Sequence, residues 1–157
     1  MTDELRYLYA VAGANARAAI AGADLRGIDG TRVEAVVEGG LLGATSVVPA
    51  AEYEEAPLND RLQDLEWLAP RAASHQEVNG RLLDLAGAVI PLAFGAISRG
   101  TDGVRELLRT RARFLADCGW GRQQELLEAV VATGPDDVLL QVRWCHGVND
   151  ARVPSLC

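Results

Sequence analysis

The chain has no lysine, one methionine, two histidines and three cysteines among its 157 residues, and only 5% of it is aromatic. Each scarcity excludes something. Cys118, Cys145 and Cys157 are odd in number, lie towards the C-terminal end and show no CxxC spacing. A disulfide framework and a structural zinc site are therefore not expected, and free thiols in a reducing compartment are. Fifteen arginines against twenty-two acids leave a net charge of −7, which argues against general binding to nucleic acid or anionic lipid, since both rest on positive charge. No apolar run approaches the ~20 residues that span a bilayer, and the opening Met1-Thr2-Asp3-Glu4 puts acids where a secretion signal needs basic residues. The expectation is a chain without a transmembrane segment, mature as made and kept in the cytoplasm, with proteins as partners. The all-arginine, alanine-rich bias reads as codon composition and carries no mechanism.

What is present suits an ordinary globular domain: 49% of residues are hydrophobic and 24% charged, enough for a core without covalent staples. Charge is uneven. Residues 1–60 hold four Arg and ten acids, 61–117 eight Arg and seven acids, and 118–157 three Arg and five acids, so the first third is the acidic part.

Arg6 to Ala12 is aromatic and β-branched and reads as a strand, followed by an Ala-rich, weakly held helix from Asn15 to Ala23 and a loop punctuated by Gly22, Gly27 and Gly30. Arg32–Glu38 and Leu41–Val48, joined by Gly39-Gly40, form a hairpin signal closed by Pro49. Ala50–Asn59, with Glu52, Glu54, Glu55 and Pro57, reads as an acidic surface connection. From Asp60 the period becomes helical, with Leu62, Leu65, Ala69, Ala72, Ala73, Gln76, Leu82, Leu83 and Leu85 on the apolar stripe. Pro70 predicts either a kink or a short first helix with Pro70 in the first turn of a second. Ala88–Ile97 is apolar nearly throughout, and Pro91 inside it predicts a sheet edge, a bulge or a turn into the strand. Thr101 or Asp102 is placed to cap a further helix striped by Val104, Leu107, Leu108, Leu115 and Cys118, with Arg105, Arg109 and Arg113 opposite. Beyond Asp117 a short helix at 123–131, a strand at 137–144 and a loose tail are weaker signals.

This order is βαββαβ, an α+β ferredoxin-like variant: an antiparallel sheet with helices on one face, over residues 1–117, and a divergent C-terminal extension at 118–157. The second sheet face is then either solvated or covered by a partner.

Gly95-Ala96-Ile97-Ser98-Arg99-Gly100-Thr101-Asp102 has the glycine spacing of a phosphate-binding loop, but Thr-Asp stands where Lys-Ser/Thr is required and Asp102 would repel phosphate. A plain strand-to-helix turn is expected. Cys118 or Cys145 with His75 or His146 has no spacing that supports a nucleophile and base, and His75 reads as a helix residue bonding a nearby carboxylate or carbonyl. Glu52, Glu54 and Glu55 read as a solvated acidic loop rather than metal ligands, and Tyr7, Tyr9, Trp67 and Phe94 as core or interface anchors. No catalytic, cofactor-binding or metal residue is assigned, no cofactor is implied, and no enzyme is expected.

Tyr7-Leu8-Tyr9-Ala10-Val11, Leu25-Arg26-Gly27-Ile28, Ser46-Val47-Val48-Pro49, Asp64-Leu65-Glu66-Trp67-Leu68 with Pro70 and His75, and Val89-Ile90-Pro91-Leu92-Ala93-Phe94-Gly95 together resemble the gas vesicle accessory proteins of the GvpF/GvpL family, over about residues 6–117. Ala93 stands where that family usually has Arg, and the text after Asp117 diverges. The resemblance implies a ferredoxin-like N-terminal domain and an assembly role at the gas vesicle, with the hydrophobic shell protein GvpA and other accessory proteins as partners. A different class, a small ferredoxin-like regulatory domain binding a ligand between hairpin and helix ends, fits the same elements. Binding is expected on a surface, from the hairpin at 32–48 and the strand at 88–97, while Trp67, His75 and Phe94 are expected to serve the fold.

Overall fold

The computed structural model describes residues 4–118. Its compact unit runs to Arg109. Strand β1 (Leu5–Gly13) leads through a 3-10 turn into α1 (Arg17–Gly22), and the hairpin follows as β2 (Glu34–Glu38) and β3 (Leu41–Val48). Gly39 turns the hairpin at φ 60°, a conformation glycine adopts without steric cost. Three helices come next, α2 (Ala50–Tyr53), α3 (Glu55–Arg61) and α4 (Leu65–Ala86), then two short strands, β4 (Val89–Pro91) and β5 (Ile97–Arg99), and finally α5 (Gly100–Cys118).

The sheet is antiparallel in the order β2-β3-β1-β4, with β5 also on β1. That order makes the fold a ferredoxin-like α+β variant whose fourth strand is broken in two. Leu92 N–H donates to Tyr9 O and Leu8 N–H donates to Ala96 O, both at 2.9 Å. Two consecutive residues of β1 are thus served by Leu92 and Ala96, and Ala93–Gly95 swings out of the ladder between them. Opposite this excursion β1 bulges against β3, the register slipping between Leu8 and Ala10. Tyr7, Tyr9, Ala10 and Ala12 consequently join one hydrophobic cluster with Ile20, Trp67, Val78 and Leu82, whereas Leu8 and Val11 face the other way.

That other face is not open. Val36, Gly43 and Val11 lie side by side across it, and a Cβ at Gly43 would come within 3.0 Å of Val104 and 3.9 Å of Leu108. Both of these α5 residues are fully buried. The helices of the βαββαβ unit cover one face, and the first half of α5 covers the second. The expected exposed sheet surface from 32–48 and 88–97 is corrected accordingly: of its valines and leucines only Val47 is substantially exposed, at 41%.

Other details depart from the sequence expectations. Residues 50–61 are two short helices burying Tyr53 and Leu58, not a surface connection. α4 starts at Leu65 because Asp64 caps it, accepting from Glu66 N at 3.0 Å and Trp67 N at 3.4 Å. It runs through Pro70 without a break and ends where Gly87 takes φ 77°. Its buried stripe is Trp67, His75, Val78 and Leu82, and Leu65 is 75% exposed. The stripe predicted from leucine and alanine shares Leu82 with the true one, and its Leu62, Leu83 and Leu85 pack against the core, whereas Leu65, Ala69, Ala73 and Gln76 are exposed. α5 begins at Gly100, directly after β5, so Thr101 and Asp102 lie within its first turn rather than at its cap. The short helix at 123–131, the strand at 137–144, the tail, Cys145, Cys157 and His146 lie outside the described residues. So do the side chains of Arg113, Leu115 and Cys118.

Candidate functional site

Three groups of side chains meet where the broken fourth strand faces α2, α3 and α4. The first is a buried aromatic cluster. Phe94, carried by the excursion, lies 5.6 Å from Tyr7, 5.9 Å from His75 and 6.5 Å from Trp67, centroid to centroid, edge to face throughout. Trp67 in turn packs on Tyr53 at 5.6 Å. Trp67, His75 and Phe94 are thus brought together, with Phe94 bridging the two helix residues.

The second is a set of hydrogen bonds that holds the cluster in register. Tyr9 donates its hydroxyl proton to Ser46 Oγ at 2.9 Å and accepts from Ile28 N–H at 3.0 Å. Gly27 makes that approach possible, since a Cβ there would collide with the Tyr9 hydroxyl. His75 stands 2.7 Å from the Tyr7 hydroxyl through Nδ1 and 3.0 Å from Leu92 O through Nε2, so of the carboxylate or carbonyl expected from sequence it is a carbonyl that is found, with a phenol beside it. Burial lowers the affinity of His75 for a proton below the usual imidazole range, against a smaller opposing effect of the Leu92 carbonyl. Burial also raises the Tyr7 phenol well above its usual range and pushes the Tyr53 phenol up to about 12. Arg71, one turn before His75, stacks over Trp67 at 4.3 Å and reaches Asp29 at 3.0 Å and Glu52 at 3.8 Å. Glu52 also accepts from Trp67 Nε1 at 3.2 Å. This clamp ties α2, α4 and the 28–30 turn together, and it gives Glu52 a role that the acidic-loop reading missed. An acid fifteen residues before a Trp carries no local signal of such a bond.

The third is a groove of ≈ 340 Å³ between α3 and β5. Leu5, Leu58, Leu62, Phe94 and Ile97 give it an apolar floor, and Glu54 and Arg99 stand at its rim, joined by two hydrogen bonds of 2.9 and 3.1 Å. Phe94 is therefore both a core contact and a groove wall. Its lining contains no cysteine, serine or histidine. Gly95-Ala96-Ile97-Ser98-Arg99-Gly100-Thr101-Asp102 is a strand-to-helix turn, with Asp102 paired to Arg105 at 3.1 Å. Among the described residues, no three His, Cys, Asp or Glu side chains gather closely enough to hold a metal ion, and no helix is long and apolar enough to cross a membrane.

Sheet order, helix placement and groove define the class: a ferredoxin-like α+β module with an apolar cleft at the edge of its broken strand. Residues 5–117 match the family model described as gas vesicle synthesis protein GvpL/GvpF, and the chain belongs to that family. It is 38% identical over 107 residues to gas vesicle protein L of Streptomyces sp. (strain CB03234), an alignment that covers 68% of this chain and 39% of that protein. The chain thus spans about two fifths of that relative. No solved structure matches it.

Proposed function

We propose that the chain is a non-enzymatic accessory or minor structural protein of gas vesicle assembly, working in the cytoplasm and at the vesicle. Its partner would be the hydrophobic shell protein GvpA or another assembly factor. The observation that carries this reading beyond the family is the α3–β5 groove: an apolar floor of Leu5, Leu58, Leu62, Phe94 and Ile97, rimmed by Glu54 and Arg99. Apolar clefts with polar rims suit protein segments that bury one or two large side chains. The domain division, a ferredoxin-like unit to residue 117 with a separate extension from 118, is part of the same proposal.

Co-expression with tagged shell protein and pull-down tests it. Capture of the chain is expected, falling at least tenfold for Leu62→Glu with the circular dichroism spectrum unchanged. A folded wild-type chain that is captured neither by shell protein nor by any other gas vesicle accessory protein would sink the reading. The alternative, a small-ligand regulatory domain, is favoured only by the groove volume, which sits at the low end of ligand pockets. A thermal-shift screen separates the two, since a ligand at a hundred times its dissociation constant adds about 2.7 kcal/mol.

A further inference from the structure

The groove runs beside β5, and the ladder fixes which backbone groups of that strand turn outward. Gly100 N–H donates to Glu4 O and Leu8 N–H donates to Ala96 O, and the pairs of an antiparallel ladder alternate between bonded and unbonded. Of the pairs between those two, Leu5↔Arg99, Arg6↔Ser98 and Tyr7↔Ile97, the bonded one is therefore Arg6↔Ser98. Ser98 gives its N–H and C=O to β1. Ile97 turns its own the other way, to the outer side of the sheet, where among the described residues β5 has no second strand. The rest of this edge is blunted. In β4 the same alternation, counted from the Leu92 N–H to Tyr9 O bond, turns Pro91 outward, and proline has no N–H to offer.

Leu5, Ile97 and Arg99 share one sheet face by alternation and line the groove opposite Leu58 of α3. A chain laid along the outer side of β5 would send every second side chain over that apolar floor. Only an extended chain suits the edge. A helix has already satisfied its own backbone, so its docking would strip water from Ile97 N–H and C=O and return no bond. Charge narrows the choice further. Glu54 is engaged with Arg99, whereas Glu55, exposed on the same lining, has no ion pair among the described residues. A second copy of this chain is a poor match, since its other edge strand, β2, carries an acid at each end and the chain as a whole has a net charge of −7.

We infer that the outer edge of β5 takes an extended segment of a partner protein as an added strand: the segment bonds Ile97 N–H and C=O, rests one apolar side chain on Leu58 and Phe94, and sets a basic residue against Glu55. The source of that segment rests on the accessory reading above, while the mode of docking rests on the ladder and the groove alone. Backbone bonds would hold any strand of the right length, and the floor and Glu55 would choose among them.

Amide hydrogen exchange of the full chain, followed by NMR, tests this with a blocked peptide of alternating valine and threonine that carries one terminal arginine. In the free chain the Ile97 amide should exchange faster than that of Ser98. With the peptide at millimolar concentration it should slow about threefold or more, and the same peptide N-methylated at every residue should leave it unchanged. Ile97→Pro removes the outward N–H but no bond to β1, and should abolish peptide binding, whereas Ile97→Ala, which keeps that N–H, should retain it. Ile97 protection equal to that of Ser98 in the free chain, which would put another segment of this chain on the edge, no slowing by the peptide, or equal slowing by its methylated form would each overturn the inference, even if Ile97→Pro fails to fold. Capture by tagged shell protein separates the two readings. Capture that a folded Ile97→Pro chain leaves intact overturns the edge and keeps the accessory role, while peptide binding by a chain that captures no gas vesicle protein overturns that role and keeps the edge.

Discussion

On one face of the sheet Tyr7, Tyr9 and Ser46 present hydroxyls that bond His75, Ile28 and one another. On the other, Leu8, Val11, Val36 and Gly43 present hydrocarbon to Val104 and Leu108, with Arg6 and Thr45 polar at one end. Both faces are dry, yet they specify position differently. A hydrogen bond fixes which atom sits opposite which, and a buried polar group left without its partner costs more than the bond contributes when made. Hydrocarbon contact rewards burial and is nearly indifferent to small slides. On the aliphatic face the missing side chain of Gly43 supplies the notch that seats the helix.

The largest effect expected from breaking this contrast is on the aliphatic side. Leu108→Ala removes a fully buried side chain and should cost about 2–5 kcal/mol, read by urea denaturation. A loss below about 1 kcal/mol would mean that α5 does not hold that face. Smaller is Tyr9→Phe, which changes almost no volume but strips Ile28 N–H of its acceptor and Ser46 of its donor. A loss of about 1–3 kcal/mol is expected, and a neutral result would show that the aromatic face, too, is held by packing alone. The smallest is Glu54→Gln. It weakens an exposed pair with Arg99 and should shift stability by less than about 1 kcal/mol, so a larger change would mark the groove rim as part of the fold rather than a surface feature.

Much of this architecture was legible. The strand at 6–12, the weak helix after it, the Gly39-Gly40 hairpin and the trouble caused by Pro91 follow from composition and turn chemistry. The bulge at Tyr9 was not, because β1 is buried on both faces and shows no alternation for a slip to interrupt. The α4 stripe was legible only in part for a related reason: beside Leu82, its inward residues include His75 and the partly buried Arg71, which look polar until their partners are known. The groove was hidden for the opposite reason. Its wall comes largely from residues 54–59, which read as an acidic surface connection since only Leu58 is large and apolar there, and from Leu62, which read as part of a helix stripe. Phe94 was read as a core or interface anchor and is both core contact and groove wall, a placement that depends on the excursion of Ala93–Gly95 and not on its local sequence.

Arg99 ends β5 and Gly100 starts α5, with Gly100 at φ 62° and its N–H donating to Glu4 O at 2.6 Å. The joint has no slack. In mechanical language, the strand and the first half of the helix form a bent lever, one arm beside the groove and the other lying across the far side of the sheet. A load that drew Ile97 outward would be delivered as torque about Gly100, and Val104 pressing on Gly43 would be the stop that resists it.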